Sequence, residues 1–458
     1  MADLIMSMSG VRGIVGENLH PEIALKMGMA FGCALGKGPI IVGGDTRTSH
    51  LMVKHAVISG LMSVGTDVID IGKVPTPTVQ QMIRHYAAQG GMVITASHNP
   101  IQWNGIKLMN SSGSFLEQDQ YDQFMEIYNG GQFKLEAWDA QGTLKVDPTA
   151  LDIHIQHILD NFDVSDIRKA NLKVLIDANN GTGALADPLL LQKLGVQYLI
   201  LNNEPNGHFA HDPEPLKRNL KEIMAALENG NYDIGFVQDA DADRLVILDE
   251  KGRFIGEDYS LGLCVDYILS EQAQPNATVV VNLSTSKVIE HIANRHQAKV
   301  VYTKIGESHV TKGIKSNKAV VGGEGNGGVI YPKIGWGRDS LVGIVAALKF
   351  LAKTKRSVSQ LVDKYPKYIM RREKITVSSQ TEVQDILDKI SAQFPGVPTD
   401  TQDGIKFLFP NAWVHARPSN TEPIVRIFIE APTESEAKAL FDRVSAITLV
   451  KGYKTVSN

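Results

Sequence analysis

The sequence predicts an α/β protein made of related units in tandem, with mixed, mostly parallel sheets, and closed at its C-terminal end by a smaller α+β unit. Three observations carry this. The chain has 458 residues, and its length sets a prior of about three domains. Short β-branched runs alternate with helical patterns, the signature of βαβ units. Beyond Lys374 the pattern changes to closely spaced strands followed by one helix.

The strand candidates, in order, are "PIIVGGD", "DVIDIG", "GMVITA", "LKVLIDA", "YDIGFVQ", "ATVVVNL" and "AVVGGEG". Helical periodicity marks "HPEIALKMGMAFGCAL", "SHLMVKHAVISGLMSVG", "PLKRNLKEIMAALENG" and "SKVIEHIANRHQ". An apolar run that ends in a polar or glycine-rich loop and then a helix recurs, as in "IDANNGTGALADPLLLQKLG", without a short fixed period. Open α/β sheets bind ligands at the carboxyl ends of their strands, so several such loops can share one cleft. At the C-terminal end "GIKFLFP", "AWVHARP" and "IVRIFIEA" read as strands and "ESEAKALFDRV" as a helix. Polar seams at 130–148, 252–258 and 365–374 divide the chain into units 1–147, 148–255, 256–368 and 369–458.

Composition is that of an ordinary globular protein. The net charge of −4 argues against a general nucleic-acid binder. Cys33 and Cys264 stand far apart in apolar surroundings and read as free buried thiols, which suits a reducing cytosol. The N-terminal stretch lacks the pattern of a signal peptide. The longest apolar run, 341–352, is too short for a membrane span and carries Lys349. The expectation is a cytoplasmic protein, monomer or homodimer, with no membrane and no nucleic-acid partner.

Four stretches carry candidate chemistry. "TASHNP" (95–100) follows an apolar run with Ser97, His98 and Asn99, then a stiffening Pro100. It reads either as a loop presenting a nucleophile or as a helix cap. Lys107, ten residues on, is a candidate acid/base or phosphate contact. "QDADADRLVILDE" places Asp239, Asp241 and Asp243 at alternate positions. Three crowded carboxylates need a cation, and oxygen donors select Mg²⁺ or Ca²⁺. An EF-hand is the competitor, but Arg244 stands where that loop needs glycine, and strand patterns flank the motif. Arg244 suits a phosphate near the metal. "GGEGNGG" (322–328) offers Glu324 and Asn326 to sugar hydroxyls, and a simple turn explains it equally well. "ARPSNTEPIVR" (416–426) clusters Arg417, Ser419, Asn420 and Thr421 with Arg426, a composition that suits an oxyanion or a polar turn. Arg12 between glycines and Lys304 with Glu307 complete the set.

Together and in this order, these motifs resemble the α-D-phosphohexomutases, a family that includes phosphoglucomutases, phosphomannomutases and phosphoglucosamine mutases. The resemblance spans essentially the whole chain. It implies three related α/β domains and a smaller fourth around a central cleft. By resemblance, Ser97 carries a phosphoryl group and ligates one Mg²⁺ together with Asp239, Asp241 and Asp243. Arg12, His98 and Arg244 surround the phosphoserine, and Lys107 moves the hydroxyl proton. Lys304, Glu307, Glu324 and Asn326 contact the sugar. Arg417, Ser419, Asn420, Thr421 and Arg426 hold the phosphate that does not react. The implied reaction interconverts hexose 1- and 6-phosphates through a sugar 1,6-bisphosphate, which also serves as activator.

Departures bear on substrate. Much of the family has Ser and His in the sugar loop, where this chain has Asn326 and Gly328. An acidic Glu307 resembles the glucosamine-type enzymes and is expected to pair with an ammonium. Gly44 leaves out a cation that is common in the family. Outside the class, a metal-dependent phosphatase with an aspartyl nucleophile and a non-enzymatic calcium or sugar-phosphate sensor are the alternatives.

Overall fold

The computed structural model describes residues 4–272, 276–377, 380–419, 424–449 and 455–457. Four sheets follow one another along the chain. The first has seven strands, in spatial order Ile5–Ser7, Gly10–Ile14, Trp103–Asn110, Gly90–Ile94, Ile40–Gly44, Val68–Lys73 and Leu144–Val146. The second orders Leu245–Leu248, Ile234–Gln238, Lys173–Asp177 and Gln197–Leu201. The third orders Lys299–Thr303, Thr278–Asn282, Val321–Glu324 and Gly328–Ile330.

These three sheets share one plan. In each, a first strand sits beside a second and a third, both parallel to it, and a fourth returns antiparallel beside the third. The recurring loop-then-helix pattern is therefore a repeated topology. Its consequence is positional. The connection from third to fourth strand carries Ser97 in the first sheet, Asp239 to Arg244 in the second and Gly325 to Gly327 in the third. Three motifs far apart in sequence occupy one structural position in three copies.

The fourth sheet is antiparallel throughout, with six strands of which Ile369–Thr376, Ile424–Ala431 and Trp413–Pro418 are neighbours. Helices Gln380–Ala392 and Glu434–Leu449 pack on it.

Buried apolar residues form a core on each face of the first sheet, and one large core joins the second and third. Into that shared core runs the helix Ser340–Thr354, whose first three turns are buried on every side. Its Lys349 ends in an ion pair with Asp166 at 2.7 Å, as a buried ammonium requires. Asp339 caps the helix by accepting from the N–H groups of Leu341 and Val342. Among the described residues no helix is long and apolar enough to cross a membrane. Cys264 is buried as expected, whereas Cys33 is only half-buried because it lies toward the outer side of its helix; both are free.

Candidate functional site

Two of the three equivalent loops are held in strained backbone. Ser97 has φ of 51° and Ala242 of 50°, left-handed values that non-glycine residues rarely adopt. The turn at Ser97 points its Oγ toward the second sheet, where it donates to Asp239 Oδ2 at 2.8 Å. What holds the turn is Arg47. This buried guanidinium donates to the carbonyls of Ser97 (2.7 Å), Asn99 (2.6 Å), Pro100 (2.8 Å) and Trp103 (2.9 Å), and its Nε to Asp45 at 3.1 Å. A carbonyl-rich turn facing a cation in this way has its polar groups satisfied without solvent.

Asp239, Asp241 and Asp243 are fully buried, with one oxygen from each lying within 4.8 Å of the others. Lys107 Nζ bridges Asp241 at 2.6 Å and Asp243 at 2.9 Å. Arg338 reaches Asp243 at 2.8 Å, and Thr76 Oγ1 donates to Asp241 at 2.5 Å. Burial opposes charge on Asp243, but Arg338, Lys107 and Arg244 outweigh it and hold that carboxyl below its ordinary range. Asp239 goes the other way, pushed well up by burial and by its two acidic neighbours. Burial works against charge on Lys107 too, but Asp241 and Asp243 overcome it and favour the protonated amine. Asp241 Oδ1 and Asp243 Oδ1 are buried without a hydrogen-bond partner. Such orphaned oxygens are costly unless a cation takes them, so the donor set fits a hard divalent ion.

Around Ser97 the cations gather. Arg12 Nη1 donates to Asn99 Oδ1 at 2.9 Å, and Arg244 Nε stands 3.8 Å from Asp239. His98 Nδ1 lies 3.3 Å from Ser97 Oγ. Burial, then Arg244 and Arg12, push the imidazole well below its ordinary range, so His98 is neutral. A cleft of about 370 Å³ opens here. It takes His98 from the first unit, Arg244 from the second, Glu324 and Asn326 from the third, and Lys374 and Arg426 from the fourth.

On the third-unit wall, both carboxylate oxygens of Glu324 have partners. Its Oε1 accepts from Asn282 (2.9 Å) and the Gly306 N–H (3.1 Å), and its Oε2 pairs with Arg338 at 3.1 Å. On the fourth-unit wall, Lys374, Arg426 and Arg417 are lateral neighbours on three adjacent strands. Three cations at one register repel one another unless an anion sits among them. Arg417 has one partner already, Asp403 at 3.1 Å. Ser419 is buried at the end of its strand, and its N–H bonds to the Ile424 carbonyl. Lys304 is exposed in the loop after Lys299–Thr303. Asn420 and Thr421 lie outside the described residues.

Family models cover the chain in the same order. The alpha/beta/alpha domains I, II and III of phosphoglucomutase/phosphomannomutase match residues 4–135, 152–252 and 256–368, and the C-terminal domain matches 372–447. The chain belongs to the phosphoglucomutase/phosphomannomutase family. It is 40% identical to a phosphoglucomutase/phosphomannomutase of Thermococcus kodakarensis, over 94% of this chain and 95% of that one. It is 36% identical to a probable phosphoglucosamine mutase of Methanopyrus kandleri, over 95% of each. The crystal structure of a family protein from Burkholderia thailandensis superposes with a TM-score of 0.85 at 25% identity, covering 97% of this chain and 98% of that one.

Three features of this family site differ from the sequence reading. Glu307, read as open to a substrate ammonium, already holds two partners. Its Oε2 accepts from Arg338 Nε at 2.8 Å and its Oε1 from Gln80 Nε2 at 3.2 Å. Gly44 is glycine for a steric reason, since a Cβ there would meet the Ile94 carbonyl oxygen at 2.2 Å. The residues not anticipated are Arg47, Thr76, Arg338 and Lys374. Arg47 had a signal, the spacing Asp45–Arg47 directly after a buried strand. Arg338, in "GWGRD", had none.

Proposed function

We propose that the chain is a phosphohexomutase that interconverts hexose 1- and 6-phosphates by way of a phosphoserine at Ser97 and a sugar 1,6-bisphosphate. The observation that carries this reading is Ser97 itself. Its Oγ is aimed at the Asp239 carboxylate from a strained turn, beside a cleft that is lined by the neighbouring His98 and also by Lys374 and Arg426 of the fourth unit. One anionic group at each end of a small substrate fits these two poles.

Asp239, Asp241, Asp243 and the phosphorylated Ser97 would hold one Mg²⁺, which supplies charge neutralisation at the transferring phosphoryl group. Arg12 and Arg244 bind the phosphoryl oxygens on Ser97. His98, 3.3 Å from Ser97 Oγ, is positioned to hydrogen-bond to the same group. Lys107 Nζ is placed to exchange a proton with the sugar hydroxyl. Glu324 and Asn326 orient hydroxyls, with Lys304 at the rim. Arg417, Ser419, Asn420, Thr421 and Arg426 hold the other phosphate. Closure of the fourth unit excludes water, without which a phosphoserine leaks by hydrolysis. The division at 147, 255 and 368 is supported by each sheet lying inside one unit.

For substrate the reading leans to hexosamine phosphates. The relatives named as probable phosphoglucosamine mutases support this; the Glu307 contact no longer does. A ³¹P NMR turnover panel tests the proposal. It presents glucosamine, glucose and mannose phosphates with Mg²⁺ and a trace of bisphosphate, beside Ser97→Ala. Interconversion that the variant loses supports the mutase, and relative rates name the sugar. Release of free phosphate that survives in Ser97→Ala points to a phosphatase with an aspartyl nucleophile.

A further inference from the structure

We propose that Arg338 is a positioning residue of the sugar site, and that residue 328 is glycine in order to admit it. Arg338 is 7% exposed, and its guanidinium meets three carboxylates from three elements: the loop Asp239 to Arg244, the first residue of the helix Glu307–Asn317 and the last residue of the strand Val321–Glu324. Nε donates to Glu307 Oε2 at 2.8 Å, Nη2 to Asp243 Oδ2 at 2.8 Å, and Nη1 lies 3.1 Å from Glu324 Oε2. Without this cation Glu307 and Glu324 each lose an ion pair inside a buried space, while Asp243 keeps Lys107.

The backbone that presents Arg338 is fixed on its C-terminal side. The Asp339 N–H bonds to the Val329 carbonyl at 2.9 Å. Asp339 caps the buried helix with Oδ1 and meets His154 Nε2 at 2.9 Å with Oδ2. Ser340 Oγ donates to the Ala242 carbonyl at 2.6 Å, which ties the same segment to the carboxylate loop. Arg338 therefore cannot retreat by a shift of main chain.

The space it crosses belongs to residue 328. A Cβ added at Gly328 would lie 2.1 Å from Arg338 Cδ, 2.8 Å from Cγ and 3.2 Å from Cβ. Any side chain at 328 and the present path of Arg338 exclude each other. The glycine and the arginine are thus one device: the strand Gly328–Ile330 gives up a side chain at its first residue, and a cation from the loop that follows it enters and orients Glu324. Because Glu324 Oε1 is held by Asn282 and the Gly306 N–H, removing the Arg338 contact frees only Oε2.

The inference rests on the proposed function of the cleft. Its test is a set of steady-state measurements on Arg338→Ala, Arg338→Lys, Gly328→Ala and the double variant Gly328→Ala/Arg338→Ala, with the best sugar phosphate of the turnover panel. Loss of hydrogen bonds to charged groups predicts a KM raised about tenfold or more in Arg338→Ala, with a smaller fall in kcat. Arg338→Lys, which cannot span three acids, falls between. Gly328→Ala raises KM on its own and adds nothing once Arg338 is Ala, since the atoms it strikes are gone. Thermal melts identify variants that do not fold; if Arg338→Ala is one, Arg338→Lys and Gly328→Ala decide. A KM within about twofold of wild type for the folded Arg338 variants overturns the role assigned to Arg338, because it is smaller than the loss of one charged hydrogen bond. So does an equal effect of Gly328→Ala in both backgrounds. A wild-type enzyme that interconverts no sugar phosphate overturns the functional reading instead.

Discussion

Replacing Arg47 by Met removes the clasp on the Ser97 turn while keeping most of its volume. The guanidinium gives four hydrogen bonds to loop carbonyls and one to Asp45, and it lies 5.0 Å from the Phe209 ring centre of the second unit. Two costs follow. Asp45 is fully buried, and without Arg47 it keeps only the Thr95 hydroxyl and the residue-47 N–H. Removing one partner of a buried pair costs about 3–5 kcal/mol. Burial pushes Asp45 up, and Arg47 is the chief opposing influence, so Asp45 of the variant takes a proton and recovers part of that loss at low pH. The second cost is geometric. Ser97 sits in a left-handed conformation that persists only while its surroundings enforce it. Relaxation of the turn by about 1 Å lowers turnover roughly a hundredfold. The assays are urea unfolding at pH 5 and pH 8, and kcat measured where the variant is folded. Stability should fall more at pH 8 than at pH 5, and kcat should fall with little change in KM. A folded Arg47→Met enzyme with wild-type kcat would refute the claim that Arg47 shapes the Ser97 turn.

Two further outcomes follow from the buried acids. Mg²⁺ at about 100 times its Kd should stabilise the wild type by about 2.7 kcal/mol against thermal unfolding. Asp241→Asn should abolish that shift, and chelation should abolish turnover; an unchanged melting shift in Asp241→Asn would mean the ion binds elsewhere. Asp187 is fully buried, its Oδ2 has no partner, and burial pushes its carboxyl up to about 8. A buried acid whose folded pKa exceeds its unfolded value stabilises the fold below the unfolded pKa, and that contribution is lost as pH rises toward the folded one. The Asp187 contribution to unfolding free energy should therefore fall by about 1.4 kcal/mol per pH unit between pH 5 and pH 8. Asp187→Asn should remove that slope, and urea melts across this range check it.

The local chemistry of the site was legible from residue types and spacing. Three aspartates at alternate positions between apolar runs point to a cation site, and the structure brings the three carboxylates together with orphaned Asp241 and Asp243 oxygens. Ser97 before His98, Asn99 and Pro100 left a presented hydroxyl and a helix cap both open, and the structure places its Oγ against Asp239. Alternation of β-branched runs with helical periods was enough for the α/β class, because each pattern has to bury one face. What linear order could not show is which distant groups share a space. Arg338 is 95 residues from Asp243, and no local pattern marks its three partners. Glu307 looked available to a substrate ammonium because its competitor comes from another loop. Gly44 looked like a missing cation, and the reason it has no side chain is the carbonyl of Ile94 on the neighbouring strand. Periodicity and residue chemistry are properties of the chain alone. Charge balance and excluded volume depend on what tertiary packing brings within a few ångströms, and at this site those two terms decide which side chains remain free to act.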